Sequence, residues 1–599
     1  MKTIQYHFLL LLIAVQLVNA YSAKAQVNNS KIQNQNIKRF IRIWGLVKYK
    51  SEKSIVGEFD ADKEFLSLID SVKDADEEQF DRINLKLIGQ VNLSTVSSTH
   101  SYQKNNIKYL LKNIDYSWIK KSRYSATLKQ RLTALLNQVN LSEKHHYIPT
   151  IWYENNLPNE ASYNDYGFNE EKMNLLTLAK VWNAIEYLFP YKYMTDKNWG
   201  QTLVEMVPIF RNIKDRTSYE KGLLMLAAAI NDTHGGELMD HLKMTSTIFN
   251  VRYYPPFDYI VEAKGIIIEK FLNDSLAKNS ALKAGDIITA IDGIKIGQWI
   301  KERAALLPAS NDAVKYRELS TSNNNRGDTF AFSNLKGQTL RLQVLRNKAH
   351  LNVALKMLDR FDKKSVKLIV DDLMQKREKE KTIKGMENIS DDITLFRAGN
   401  FFDSDLPNYN DLEQLSAELK SKKAIIFDMR KYPQSPGLFG YFLPLLLGKA
   451  PFAFARYYAV DLKNPGAFIH LEGIENYMRV EKDGVKTIGE LYTGKMVILT
   501  DENTQSMGEW FTMMLRQFNA NTTIIGSQTA GADGDVKRLT LPGNYRFSFT
   551  GNGIFYPDGR ETQRIGIIPD IYFKVSAKDL INTEDAHLQR ALKFIKEGK

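Results

Sequence analysis

Two short stretches carry side chains suited to nucleophilic chemistry. "TDENTQSMGEW" (501–511) puts Ser506 just beyond an apolar run, at the start of an expected helix, with Gly508 and Glu509 behind it. A serine there has two readings. Ser506-Met507-Gly508-Glu509 spells the S-x-x-E capping box, in which a hydroxyl and a carboxylate satisfy orphan amides at a helix start. The same position favours developing negative charge, which suits a nucleophile whose oxyanion is held by the next amide. A serine hydroxyl attacks only when a base removes its proton, so a histidine is required as well. Of the nine histidines, His234 differs from the rest: in "NDTHGGE" it follows an apolar helix, sits beside Asp232 and Thr233, and precedes two glycines that permit close approach of another segment. Its plainer reading is a helix C-terminus with Gly235 as the cap, which spacing alone favours. His100, His145, His146, His241, His350, His470 and His587 occupy polar settings expected of solvated surface, and His7 falls in the N-terminal leader.

The elements that must position these residues follow from periodicity. From Asn36 to about Val91, apolar residues recur at three- and four-residue steps (Phe40, Ile43, Trp44, Val47, then Phe65, Leu66, Ile69), a helical pattern. "RIWGLVKY" (42–49) and "KVWNAIEY" (180–187) align at an offset of 138 residues, which suggests either a duplicated helical unit or two similar amphipathic helices. From about Phe257 to Met357 the runs "GIIIEKFL", "GDIITAIDG" and "TLRLQVLRN" read as strands, with a loop expected over 308–326. A charged, helical linker (367–381) leads to alternation: strand 393–396, helix 410–420, strand 424–430, strand "MVILT" (496–500), the helix after Ser506, and "TTIIG" (522–526). Such alternation predicts mostly parallel strands buried under crossover helices. Ligands of such sheets sit outside the carboxyl ends of strands, where "DMRKYPQSPG" (428–437) and the Ser506 loop both emerge.

Taken together these motifs resemble a family. "GDIITAIDG" resembles a PDZ domain, and "IIFDMRKYP", "LTDENTQSMGEW", "IIGSQTAGADGDV" and "YPDGRETQRIGIIPD" resemble, in order, segments of the carboxyl-terminal processing (tail-specific) serine peptidases. The order and spacing agree across roughly 175–575, leaving 26–165 outside. The resemblance implies an α/β multidomain protein: a crotonase/ClpP-like ββα core, an inserted PDZ-like β domain and an N-terminal helical region. Expected boundaries are a signal peptide (1–25), an N-terminal helical domain (26–165), a helical subdomain carrying His234 (166–250), the PDZ-like domain (251–360), a linker (361–390), the catalytic core (391–580) and a C-terminal helix (581–599).

The resemblance also implies residue roles. Many family members carry a lysine base about where this chain has Ala532, and Lys537 would need a shifted loop to replace it. The branch similar to the tricorn core uses a histidine preceded by a serine, and Thr233-His234 occupies that place. The implied site is Ser506 as nucleophile, His234 as base, Thr233 as its orienting partner, and an acidic member near Glu561, displaced, or Gln563, closer. Oxyanion donors would be the Met507 amide and one from the Lys431 to Gly437 loop. The expected function is an exported serine endopeptidase working through a Ser506 acyl-enzyme, with activity that falls as His234 protonates. An inactive peptide-binding protein on the same fold, or a hydrolase of a non-peptide ester, shares these residues.

Bulk properties frame this reading. The 599 residues should hold three to five domains. The 81 Lys+Arg against 69 Asp+Glu (net +12) are interleaved rather than clustered, which argues against a nucleic-acid partner. Lys2, the apolar run Phe8–Val18 and small residues at Ala20, Ala23 and Ala25 form a cleavable signal-peptide pattern. No later apolar stretch is of spanning length, so a periplasmic or secreted protein without an integral membrane segment is expected, acting on a peptide or protein substrate. There is no cysteine, which removes disulfides and thiol nucleophiles. No metal or organic cofactor is expected. Assembly into a homo-oligomer and the identity of the substrate-binding residues stay open.

Overall fold

The computed structural model describes residues 29–91, 108–138, 142–321, 328–405, 412–449, 452–473, 488–581 and 584–598. The signal-peptide segment and His100 lie outside them. The N-terminal half is built on a repeated helical pattern. A helix over 29–50 (α1) is followed by α2 (Ala61–Lys73) and α3 (Glu77–Gly89), and the pattern returns as α4 (Glu171–Leu188), α5 (Trp199–Arg211) and α6 (Arg216–Ala229). Both ends of α2 and α5 are 138 residues apart, from 61 to 199 and from 73 to 211. Equivalent bonds recur: Trp44 Nε1 donates to Ala61 O (2.6 Å), and Trp182 Nε1 to Trp199 O (2.9 Å). The two copies cross where Gly45 leaves room for the Asn183 side chain, which donates to Ile41 O at 3.0 Å. Tyr49 and Tyr187, equivalent positions, stack on one another with ring centroids 5.0 Å apart. The duplication is therefore a structural one, in which α1 and α4 pack on each other.

A five-stranded antiparallel path follows, β1 (Phe257–Glu262), β2 (Gly265–Phe271), β3 (Ile287–Ile291), β4 (Thr339–Arg346) and β5 (Ala349–Lys356), flanked by α7 (Ile296–Ala304) and α8 (Asp312–Leu319). The region expected as a loop thus contains α8. Asn311 caps it by accepting the Val314 amide at 3.0 Å, and buried Val314 and Leu319 hold it against neighbouring elements. Two buried apolar residues five positions apart in a polar stretch do not register as a helical period in sequence.

The long helix α9 (Lys363–Lys381) leads into the C-terminal sheet, ordered β6 (Met386–Ser390), β7 (Ile393–Arg397), β8 (Ala424–Asp428), β9 (Lys495–Thr500), β10 (Thr522–Gly526) and, last, Ile571–Tyr572. Every pairing from β7 onward is parallel; β6 alone runs antiparallel. Alternation along these strands feeds two cores: Phe396, Ile425, Phe427, Met496, Ile498 and Ile524 face one side, and Leu395, Ile426, Val497, Leu499 and Ile525 the other. The helix after Ser506, α10 (Met507–Arg516), covers the first side, and α11 (Ala586–Glu597) the second. Between them a hairpin, β11 (Val536–Leu541) and β12 (Tyr545–Thr550), reaches across to the helical half.

Two histidines expected at the surface are buried. His145 Nε2–H donates to Tyr49 O (3.2 Å) and burial pushes it down to about 4; His587 is likewise lowered to about 4. Both belong to segments whose neighbours are polar in sequence but which pack under other elements, so local polarity misled.

Candidate active site

Ser506 stands where β9 ends and α10 begins, and its backbone is strained there. Its φ of 54° with ψ of −119° is disfavoured for a residue with a Cβ, at about 1–3 kcal/mol. Three contacts impose the conformation: the Ser506 amide donates to Ala532 O (3.1 Å) and to Glu509 Oε2 (3.2 Å), and the Ser506 carbonyl accepts the Trp510 amide (2.9 Å). Glu509 does more than close a helix. Its buried carboxylate also accepts the amides of Gly531 (2.7 Å) and Ala532 (3.0 Å) and the Thr529 hydroxyl, tying the glycine-rich segment to the serine turn. Burial pushes the Glu509 carboxyl up, and these four donors oppose the shift.

Ser506 and His234 line one cavity of ≈ 700 Å³ together with Thr233, Met507, Asp533 and Arg538. No hydrogen bond joins Ser506 to His234; the half-exposed Tyr432 lines the same cavity, and its phenol is pushed up by burial, with the Ser506 side chain opposing the shift. His234, nearly buried, lies in the turn Thr233–Asp240 against β12. Its Nδ1 is 2.8 Å from Thr550 Oγ1, and Thr550 Oγ1 is 2.9 Å from Asp232 Oδ1. A carboxylate can only accept, so the single hydroxyl proton of Thr550 goes to Asp232 and its lone pair accepts Nδ1–H. That arrangement selects the tautomer with an unprotonated Nε2, the form a general base needs. Asp232 is fully buried and further held by the Thr550 amide (2.6 Å) and Gln563 Nε2 (3.3 Å).

Several sequence expectations are corrected by this geometry. Thr233 does not orient the imidazole: its hydroxyl pairs with Ser310 Oγ at 2.8 Å and accepts the Ser310 amide at 3.0 Å, and Thr550 takes the orienting position. Glu561 lies away from the cavity, paired with Lys112 and accepting the Tyr193 hydroxyl at 3.0 Å. Gln563 is in the network, as a donor to Asp232. Lys431 pairs with Glu380 and Gly437 begins the turn Leu438–Phe442; neither lines the cavity, whereas Tyr432 of the same loop does. Met507 does line it, and as the first residue of α10 its amide is one of the helix's orphan donors. Ala532 is buried, and Lys537 faces away, donating to the carbonyls of Trp152 (2.6 Å) and Glu154 (2.7 Å), with burial lowering its amine to about 8.

The sequence does not single out Thr550, which lies 316 residues from His234; Asp232 stands beside His234 in the chain, but its link to the ring runs through Thr550. The available signal was faint: in "YRFSFT" Arg546, Ser548 and Thr550 share the polar face of a strand, which marks Thr550 as a residue with something polar to meet. The other cavity walls also come from distant segments. Arg317 of α8 donates to Glu502 O (2.9 Å) and Gln505 Oε1 (3.0 Å), fastening the antiparallel β unit to the serine turn. Residues 152–157 run beside β11, with the Arg538 amide donating to Asn155 O (2.8 Å) and the Leu157 amide to Arg538 O (2.9 Å). Trp152 thereby meets Tyr457 edge-on at 5.0 Å and walls the cavity.

Two family models match parts of the chain. Residues 455–573 match the model of peptidase family S41, and residues 249–310 that of the PDZ domain. The chain carries an S41 peptidase domain and a PDZ domain. The S41 match contains Ser506, Glu509 and Thr550, whereas Asp232 and His234 come from outside it. A Chlamydia pneumoniae protein is 32% identical over 107 residues, which is 17% of this chain and 17% of that relative's length. Among solved structures, mature CPAF is similar at 14% identity, with 72% of this chain and 99% of CPAF covered and a TM-score of 0.47. The photosystem II D1 C-terminal processing protease is similar at 13% identity over 70% of this chain and 97% of its own, with a TM-score of 0.33. The architecture is mixed α/β and multidomain, with the PDZ domain as one wall of the S41 cavity. Among the described residues no helix is long and apolar enough to cross a membrane.

Proposed function

We propose that the chain is an exported serine endopeptidase with a crotonase-like core, in which Ser506 is the nucleophile and His234 the general base. The observation that carries this reading is the buried chain His234 Nδ1, Thr550 Oγ1, Asp232, which faces a strained serine across one cavity. In the first step Ser506 Oγ bonds to the substrate carbonyl carbon while its proton passes to His234 Nε2. The carbonyl electron pair moves to oxygen, where the Met507 amide and the positive end of α10 receive it. Collapse of that adduct breaks the C–N bond, and His234 returns the proton to the leaving amine. Water then attacks the acyl-enzyme by the same route, giving a carboxylic acid and free Ser506.

Asp232 acts through Thr550 as a positioning residue: it holds the hydroxyl, and the hydroxyl holds the ring. The missing Ser506–His234 bond is consistent with this role, because such bonds often tighten only when substrate fills the site. The test is labelling of the purified chain by a fluorophosphonate. Labelling and casein hydrolysis should both disappear in Ser506→Ala and in His234→Ala; hydrolysis retained by either variant refutes the assignment.

A further inference from the structure

A second cavity, of ≈ 860 Å³, lies in the helical half at the seam between the two repeats, remote in the chain from Ser506. Its volume is within the range of small-molecule sites. Its lining is strongly cationic. Lys38, Arg42, Lys121 and Arg123 line it and form no ion pair among the described residues. Glu186 and Asp115 also line it and attract Arg42, but neither hydrogen-bonds to it: Glu186 pairs with Lys192 at 2.7 Å, and Asp115 accepts the Ser117 amide at 2.9 Å. Arg42 Nε is buried without a hydrogen-bond partner, and the guanidinium carbon is 5.8 Å from the Trp118 ring centroid and 5.6 Å from that of Trp182. Burial and the neighbouring Arg42 and Arg39 charges push the Lys38 amine down.

The repeat shows what is missing. The equivalent of Arg42 in the second copy is Lys180, which is buried and paired with two carboxylates, Asp62 (3.2 Å) and Glu160 (2.9 Å). Asp62 in turn corresponds to position 200, which is glycine. Position 200 stands beside Arg42 as Asp62 stands beside Lys180: a Cβ on Gly200 would lie 2.3 Å from Arg42 Nη2. One side of the seam therefore carries a complete buried ion pair; the other has the cation and an empty carboxylate position. A guanidinium carries paired N–H donors suited to bidentate oxyanion binding, and a buried Nε–H without an acceptor is costly.

We propose that this cavity binds an organic carboxylate carried on an aromatic or apolar body, with Arg42 taking the carboxylate where the other repeat uses Asp62, and the Trp118 and Trp182 rings packing on the body. The source is either a free small acid or the carboxyl terminus of a peptide. The full chain with Ser506→Ala is titrated calorimetrically with benzoate, N-acetylphenylalanine and neutral benzamide. Benzoate or N-acetylphenylalanine should bind with a Kd below about 10 mM and quench tryptophan emission, and benzamide should bind at least about tenfold more weakly. Tighter binding of N-acetylphenylalanine assigns a peptide terminus, and tighter binding of benzoate a free acid. Arg42→Met should weaken binding about tenfold or more. Gly200→Asp supplies the carboxylate from within, at a helix start where an anion is favoured, by displacing only the flexible end of Arg42. It should abolish carboxylate binding and raise the Tm of the unliganded protein, and it keeps the test decisive if Arg42→Met fails to fold. Equal affinity for benzamide, unchanged carboxylate affinity in Gly200→Asp, or no binding of either acid overturns the proposal.

Discussion

Replacing Thr550 by valine isolates the step on which the proposed mechanism depends. Valine keeps the volume of a residue that is fully buried at the end of β12 but removes the hydroxyl that is 2.8 Å from His234 Nδ1 and 2.9 Å from Asp232 Oδ1. The Nδ1–H is left without a partner in a buried position, a loss of about 1–3 kcal/mol. Part of the electrostatic support survives, because Asp232 Oδ1 is itself only 3.7 Å from Nδ1 and keeps the Thr550 backbone amide. A net increase of about 2 kcal/mol in the barrier corresponds to a roughly 30-fold slower chemical step. The loss should appear in kcat and in the rate constant of fluorophosphonate labelling, with KM changed by no more than about twofold, since Thr550 contacts no substrate in this scheme. Thr550→Ser, which restores the hydroxyl, should recover most of the rate. Circular dichroism and the urea midpoint of each variant separate a catalytic loss from a folding loss. Labelling of folded Thr550→Val within about threefold of the wild-type rate would refute the relay and return Asp232 to a purely structural role.

Three other outcomes follow from the same geometry. Glu561→Gln should leave activity within about twofold and stability within about 1 kcal/mol, because Glu561 forms a partly exposed ion pair with Lys112 outside the cavity; a large loss in hydrolysis would restore it to the site. Ser506→Gly should abolish labelling yet raise the urea midpoint by about 1 kcal/mol of stability, since glycine relieves the positive φ; unchanged or lower stability contradicts the strain. Asp501, pushed up to about 7 by burial and by Glu502, keeps a proton in the folded chain that the unfolded chain releases from about pH 4 upward. Stability from this group is complete at low pH and falls as pH rises towards 7, by at most about 1.4 kcal/mol per unit. Asp501→Asn should flatten that slope in urea midpoints at pH 5, 6 and 7, and parallel slopes in the two proteins would exclude the assignment.

Much of the architecture was legible in the chain because it rests on local periodicity. The parallel strands read as short apolar runs, since both faces of that sheet are covered, and the repeat at 138 residues appears in sequence because equivalent positions such as Trp44 and Trp182 do equivalent packing work. Ser506 was legible for the same reason: a strand, a polar turn and a capped helix are adjacent in sequence, so their chemistry is too. The α8 helix was not, because its eight residues carry too few apolar positions to show a period.

What the sequence by itself determined about the site is which residue stands at the helix start and that a histidine follows an Asp-Thr pair. It left open whether Ser506 merely caps the helix, and it assigned the orienting role to Thr233, the nearest hydroxyl in the chain. Only the tertiary structure decided that Thr233 turns to Ser310, that Thr550 arrives from 316 residues away to hold the His234 ring, and that Ser506 is held at a φ of 54°. The physical reason is that hydrogen-bond partners and backbone strain are properties of segments brought together by packing, and sequence neighbours need not be neighbours in space.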